Sequence, residues 1–153
     1  MKSIILGAGE GRRLRPHTAD RPKCMVELRG RSMLERSLEV HHRLGIEDVY
    51  IVTGYEGQAI EALGRPTFRN VDFAKTNMVV SLMAAAEVLD GSDDVLVVYA
   101  DVVYEERLLA ALIQSPHEVS LAVNSAWRSL WELRLDDPLS DAETLELDEE
   151  GRV

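Results

Sequence analysis

The sequence holds a single cysteine, Cys24, which excludes an internal disulfide and makes a reducing compartment the natural reading. It has no apolar run of membrane-spanning length. The opening Met1-Lys2-Ser3-Ile4-Ile5-Leu6 passes at once into glycines and arginines, leaving no room for the hydrophobic centre of a signal peptide. These absences predict a cytoplasmic protein with no membrane partner. Positive charge is scarce: 17 basic against 27 acidic residues give a net charge of −10. Such a chain repels the phosphates of DNA and RNA at long range, which argues against a nucleic-acid partner. A single nucleotide held by a few local cations stays compatible. Most of the basic residues lie in the first 43 positions and the tail after Asp136 is acidic, so an anion site is expected near the N-terminus. There is no internal repeat or low-complexity segment, and 153 residues with 46% hydrophobic content suffice for one domain with a core.

Two familiar phosphate motifs are missing as well. No Gly-Lys-Ser/Thr follows a glycine turn, which excludes a P-loop. A dinucleotide fingerprint starting at Gly7 would place its last glycine on Arg12, where close helix packing needs no side chain.

What is present is an alternation of strand and helix patterns. Ile4-Ile5-Leu6 and Val49-Tyr50-Ile51-Val52 are short apolar runs closed by glycine turns, as buried parallel strands are. Residues 68–73 read as another strand, Val95-Leu96-Val97-Val98 as a central one, and Val119–Val123 as a later one. Ser32 with Glu35 forms a capping box for a helix that carries Leu34 and Leu38 and ends at Gly45. Short helices are expected over 58–63 and 105–114. Thr76 or Asn77 caps another, with Val79, Leu82, Met83, Ala86 and Leu89 on its apolar face. Strands alternating with helices predict an α/β fold: a Rossmann-like three-layer α/β/α domain with a mostly parallel sheet.

The chemistry concentrates between residues 6 and 25. The run Leu6-Gly7-Ala8-Gly9-Glu10-Gly11-Arg12-Arg13 leaves the first strand, and its glycines let backbone N–H groups approach an anion. Arg12 and Arg13 add charge-assisted donors, and Lys23 follows the rigid Pro22 as a point charge for phosphate. An unliganded turn is the alternative on the glycines alone. The longer pattern Gly9-x-Gly11-x-Arg13-Leu14-x-Pro16-x-Thr18-x-x-x-Pro22-Lys23-x-Met25 resembles the signature of the sugar-phosphate nucleotidylyltransferases. That resemblance implies a glycine loop wrapped on a nucleoside triphosphate, with Arg13 and Lys23 on its phosphates as the catalytic pair. Gly7 departs from the alanine common there.

The resemblance extends further along the chain. Asn77 and Ser81 open a helix; on their own they fit an ordinary N-cap, but the cytidylyltransferase branch has this pair in its nucleobase region, which implies CTP. Asp101 follows the strand ending at Tyr99, where ligands of open α/β sheets bind, and the resemblance implies Mg²⁺ there. Ala100 replaces the glycine usual before it. The stretch from Asn124, with Trp127, Trp131, Arg134, Asp137-Pro138 and Asp141-Ala142-Glu143, looks like the phosphocholine cytidylyltransferase-like branch. Trp127 is then a candidate face for a quaternary ammonium acceptor, while Trp131 reads as a packing residue in a strand over 131–135. Asn124 departs from an Asp often found there.

The remaining polar candidates are read as structural. His17, His41, His42 and His117 lack metal-ligand spacing, with His41 and His42 partly exposed on their helix. Cys24 beside Lys23 has a reason for a lowered pKa but is read as structural. Asp148-Glu149-Glu150-Gly151 reads as a solvated hairpin turn.

The implied reaction is transfer of a nucleotidyl group, CMP from CTP, to a small phosphate or phosphonate such as phosphocholine, with loss of pyrophosphate. Two alternatives stay open: a catalytically incomplete nucleotide-binding or assembly subunit, and a sugar-1-phosphate nucleotidylyltransferase using another triphosphate. Members of the resembled family continue for several more elements, so residues 1–153 are expected to form a nucleotidyltransferase domain lacking its C-terminal elements. Uncovered strands near 119–123 and 131–135 would then favour a homo-oligomer.

Overall fold

The computed structural model describes residues 1–140, 142 and 145–149. It divides into two units, Met1–Pro116 and His117–Val153. In the first, β1 (Lys2–Leu6) lies between β4 (Asp48–Thr53) and β6 (Val95–Tyr99), and β5 (Thr67–Arg69) extends the far side of β4. All three pairings are parallel. A small antiparallel hairpin of β2 (Glu27–Leu28) and β3 (Arg31–Ser32), not foreseen from the sequence, leads into α1 (Met33–Arg43).

Alternation along β1 sends its residues to two opposite layers. Ile5 joins Val49, Ile51, Leu96 and Val98 beneath α1, α2 (Gln58–Glu61) and α4 (Glu106–Ile113), through Leu34, Val40, Ile60 and Leu109. Ile4 joins Val52 on the other face against Ala85 and Val88. The latter belong to the segment of α3 (Met78–Met83) and the 3-10 turn Ala86–Val88. Helical segments cover both faces, so the three-layer α/β/α expectation holds. The Ser32–Glu35 capping box is formed in both directions, and Gly45 takes positive φ just past α1.

Five expectations about elements are corrected. The strand expected over 68–73 is β5 and stops at Arg69, because Asn70 turns the chain. The apolar run 95–98 is not central: β6 ends the four-stranded order, with Val97 45% exposed and Tyr99 40% exposed. In the α3 segment the buried positions are Ser81, Ala85 and Val88, while Val79, Met83 and Leu89 face outward. In the second unit Val119, Leu121 and Val123 are exposed and form no strand, and the strand expected over 131–135 is replaced by α5 (Trp127–Glu132). Trp127, Leu130 and Trp131 stand at helical spacing, which outweighed the aromatic preference for strands. Of the acidic segments, Asp141, Glu143, Glu150 and Gly151 lie outside the described residues. No helix among the described residues is long and apolar enough to cross a membrane.

His41, expected to be partly exposed, is buried at the centre of the α1 interface, whereas His42 is exposed. Its Nδ1–H donates to Ser37 O at 2.7 Å, which leaves Nε2 to accept the Ser3 hydroxyl at 2.9 Å. Burial holds its pKa below the usual 6.5. The unfolded chain therefore binds a proton that the folded one refuses, and stability is lost as pH falls below about 6.5. Thermal melts from pH 7.5 to 5.5 should show this loss in the parent and a smaller one in His41→Gln.

Candidate active site

Three strand ends stand level. Leu6 is paired with Val52 on one side and Tyr99 on the other. Beyond them Gly7 N donates to Val52 O at 2.9 Å and Ala100 N donates to Leu6 O at 3.0 Å. The chain after each strand is thus delivered to one edge, the carboxyl edge where open α/β sheets bind ligands. A cavity of about 210 Å³ lies there, lined by the Leu6–Gly9 turn, Lys23, Asn77, Ser81 and Asp101, with Phe73, Thr76 and Tyr99 among its walls.

The turn is shaped by contacts that exclude side chains. A Cβ on Gly54 would stand 2.6 Å from Ala8 O and 2.8 Å from Phe73 Cβ, so only glycine lets the turn after β4 lie against the turn after β1. Tyr55 N donates to Ala8 O at 3.1 Å and closes that contact. Gly11 has φ +66°, and a Cβ there would meet Lys23 Cβ at 2.7 Å. Thr18, fully buried, donates to Gly11 O at 2.9 Å and clamps the same turn. Gly9 differs: it lines the cavity and a Cβ there would meet nothing within 4 Å.

Lys23 Nζ donates to Asp101 Oδ2 at 2.6 Å, joining the first loop to the end of β6. Both side chains are partly exposed on the cavity wall. Glu10 binds the guanidinium groups of Arg12, at 2.6 Å, and of Arg15. The Arg12 hydrogen bond, with the charges of both arginines, holds its carboxyl below the usual carboxylate range. Cys24 is buried in the core cluster behind the turn, and desolvation pushes its thiol up to about 12. Its neighbour Lys23 does not activate it, so the thiol belongs to the packing.

Asn77 caps α3: its Oδ1 accepts from Val79 N at 3.1 Å and Val80 N at 3.2 Å. Those N–H groups are taken up by the cap, the ordinary N-cap that the residues alone suggested. Asn70, overlooked in the sequence, lies buried behind this wall and binds Thr76 and Ser81. Its signal was a turn-forming Asn placed directly after a short strand.

Of the residues singled out from the sequence, the structure gathers Leu6, Gly7, Ala8, Gly9, Lys23, Asn77, Ser81 and Asp101 around one cavity. Glu10, Gly11, Arg12 and Arg13 do not line it; Arg12 and Arg13 are exposed on the 3-10 turn Arg12–Leu14. Trp127 belongs to the second unit, where the Arg128 guanidinium lies 5.0 Å from its ring centroid, so its ring faces a cation of the chain itself. Asn124 Oδ1 accepts from Ala126 N at 3.0 Å and shapes the entry to α5.

Residues 3–137 match the family described as MobA-like NTP transferase domain. The chain belongs to that family.

The relatives place it among the nucleotidyltransferases, as the resemblance implied. It is 34% identical to the CTP:phosphoglutamine cytidylyltransferase of Campylobacter jejuni over 96% of this chain and 62% of that protein. It is 35% identical to the choline-phosphate cytidylyltransferase of Streptococcus pneumoniae over 60% of this chain and 42% of that one. The solved structure of a CTP:phosphocholine cytidylyltransferase from Streptococcus pneumoniae superposes with a TM-score of 0.60, at 34% identity, over 65% of this chain and 44% of that one. The chain thus spans less than two thirds of the length of these relatives.

The two glycines give opposite expectations. Gly54→Ala should destabilise the protein by about 1–3 kcal/mol, the usual cost of overpacking, since the obstructing atoms include backbone. Gly9→Ala, in open space, should leave the melting temperature within about 1 °C of the parent, well under the roughly 2–4 °C that 1 kcal/mol moves in a protein this size.

Proposed function

We propose that this chain carries the nucleotide-binding part of a cytidylyltransferase, which moves CMP from CTP to the phosphate or phosphonate of a small molecule and releases pyrophosphate. The observation that carries the reading is the convergence of the Gly7–Gly9 turn, Lys23, Asp101 and the Asn77/Ser81 pair on one cavity. The cytidylyltransferases among the relatives support it, and their printed substrates, phosphoglutamine and choline phosphate, suggest the acceptor class. A cytoplasmic setting is part of the same proposal and rests on the lone buried thiol.

In this reading the glycine turn receives the triphosphate, with Gly9 leaving room for close approach. Lys23 leaves Asp101 and turns its ammonium to the phosphates, a short swing for a flexible stem. Arg13, on the neighbouring turn, supplies a second cation. The acceptor oxygen forms a bond to the α-phosphorus while the bond from that phosphorus to the bridging oxygen breaks, and its electron pair leaves with pyrophosphate. The attacking oxygen is already anionic, so no general base is needed, and alignment with charge neutralisation lowers the barrier.

Asp101 fits a divalent cation of the Mg²⁺ type: it is a hard oxygen donor at the cavity, and such ions are held by one or two carboxylates together with substrate phosphates. When bound, the ion would neutralise charge on the triphosphate. The chain's own part is to present the Asp101 carboxylate and to release Lys23 from it.

Calorimetry with Mg²⁺ and each of CTP, UTP, ATP and GTP tests the reading, CTP being expected to bind tightest. Equal affinities would remove the cytidine assignment. Lys23→Ala should weaken CTP binding by about 1.5–3 kcal/mol, the scale of a hydrogen bond to a charged group, or roughly 10–150-fold. Unchanged binding would show that the phosphates lie elsewhere.

A further inference from the structure

Asn70 does not line the cavity, yet its carboxamide binds two side chains that do, Thr76 and Ser81. The residue follows β5, is only 5% exposed, and donates its backbone N–H to Thr53 O at 2.8 Å. Its side-chain orientation is fixed by its partners. Asp72 N–H donates at 3.0 Å, which only the carboxamide oxygen can accept. Nδ2 therefore faces Thr76 Oγ1 at 2.9 Å and Ser81 Oγ at 3.0 Å, and its two protons are both taken up.

Both hydroxyls must then accept from Asn70. Thr76 passes its own proton to Asp72 O at 3.0 Å. Ser81 has no such acceptor among the described residues, so its O–H is left to donate into the cavity it lines. Asn77 is polarised the same way, since its Oδ1 is held by Val79 and Val80 N–H and its NH₂ is the end left over. Asn77 and Ser81 thus both offer donors on this wall, whereas the proton of Thr76 is spent on Asp72 O. Cytosine carries two adjacent acceptors, N3 and O2, whereas uracil carries a donor, N3–H, between its carbonyls. A wall of donors pairs with the first edge and leaves a donor facing a donor on the second.

We propose that Asn70 is a positioning residue for base selection: it holds Ser81 as a donor and so makes the cavity prefer cytosine over uracil. The proposal rests on the assignment of Asn77 and Ser81 to the nucleobase.

The isosteric change Asn70→Asp inverts the polarity. A carboxylate has only acceptors, so it draws the Ser81 proton back and presents the serine lone pair to the ligand. The added charge acts on all triphosphates alike, so the ratio of CTP to UTP affinity isolates the effect. Calorimetric titration of the full chain with Mg²⁺ and each nucleotide should show that ratio falling by roughly tenfold, the scale of one mispaired buried hydrogen bond. Ser81→Ala should lower it similarly, and adding Asn70→Asp to Ser81→Ala should change it no further. Asn70→Ser, which removes the carboxamide without adding charge, is the second variant should the aspartate fail to fold, and it should also lower the ratio. A parent protein without CTP preference would overturn the nucleobase assignment and the proposal with it. A parent with that preference, lost in Ser81→Ala but kept in the folded Asn70 variants, would overturn the proposal alone.

Discussion

The cavity depends on one constraint, that β1, β4 and β6 run parallel and end at the same level. Register alone places Leu6 beside Val52 and Tyr99, so the following residues emerge together: Gly7, then Gly54 after Thr53, then Ala100 and Asp101. Parallel pairing needs both faces covered, and the opposing layers built on Ile5 and Ile4 provide that cover. Once the strands are fixed, the turns have almost no freedom. Ala8 is pressed on Gly54 with no space for a methyl group, and Gly11 on Lys23 likewise. The precision of the site comes from glycine backbone packed against a carbonyl and the first carbons of side chains, atoms that have little freedom to move.

Charge at this edge is balanced locally. The protein carries a net charge of −10, yet the loop proposed to meet a triphosphate holds arginines and a lysine, three of these cations being paired with two carboxylates. Glu10 takes Arg12 and Arg15, and Asp101 takes Lys23. These pairs are exposed or partly exposed, and such pairs contribute little net stability. They are therefore easy to exchange. A triphosphate offers the cations stronger, multiply charged acceptors, and a divalent cation offers Asp101 a replacement for Lys23. In the proposed function, the resting pairs hold the loop's cations without binding so tightly that a ligand cannot separate them.

Much of this was legible in the sequence. The glycine turn, Pro22-Lys23 and Asp101 stand out because each is a polar or glycine signal beside a strand or within the resembled signature, and the turn, Lys23 and Asp101 meet at the cavity. The capping box at Ser32 and Glu35 was readable for the same reason, since its two hydrogen bonds are local. What local patterns do not carry is position within a sheet. Val95–Val98 is as apolar as a central strand, but it lies at the end of the strand order, with Val97 and Tyr99 on the surface. Nor do they carry the depth of a polar residue. His41 looks like a surface histidine until Ser3, on a strand 38 positions away, supplies the partner that permits its burial.

The failure at α3 has a different cause. The apolar residues Val79, Leu82, Met83, Ala86 and Leu89 describe a helical face, yet the face turned inward carries Ser81, Ala85 and Val88, and Val79 and Met83 are 58% and 54% exposed. A serine stands where packing alone would place a large aliphatic side chain, and Asn70 is buried to satisfy it. Hydrophobic periodicity assumes that the inward face is chosen for apolar packing. Here the inward face brings the Ser81 hydroxyl to Asn70 and the cavity, and the helix shortens to Met78–Met83 with a 3-10 turn after it. Local rules tend to fail where a site overrides them. The misread helix face and the overlooked Asn70 are therefore one error, and they mark the part of the wall that packing alone does not explain.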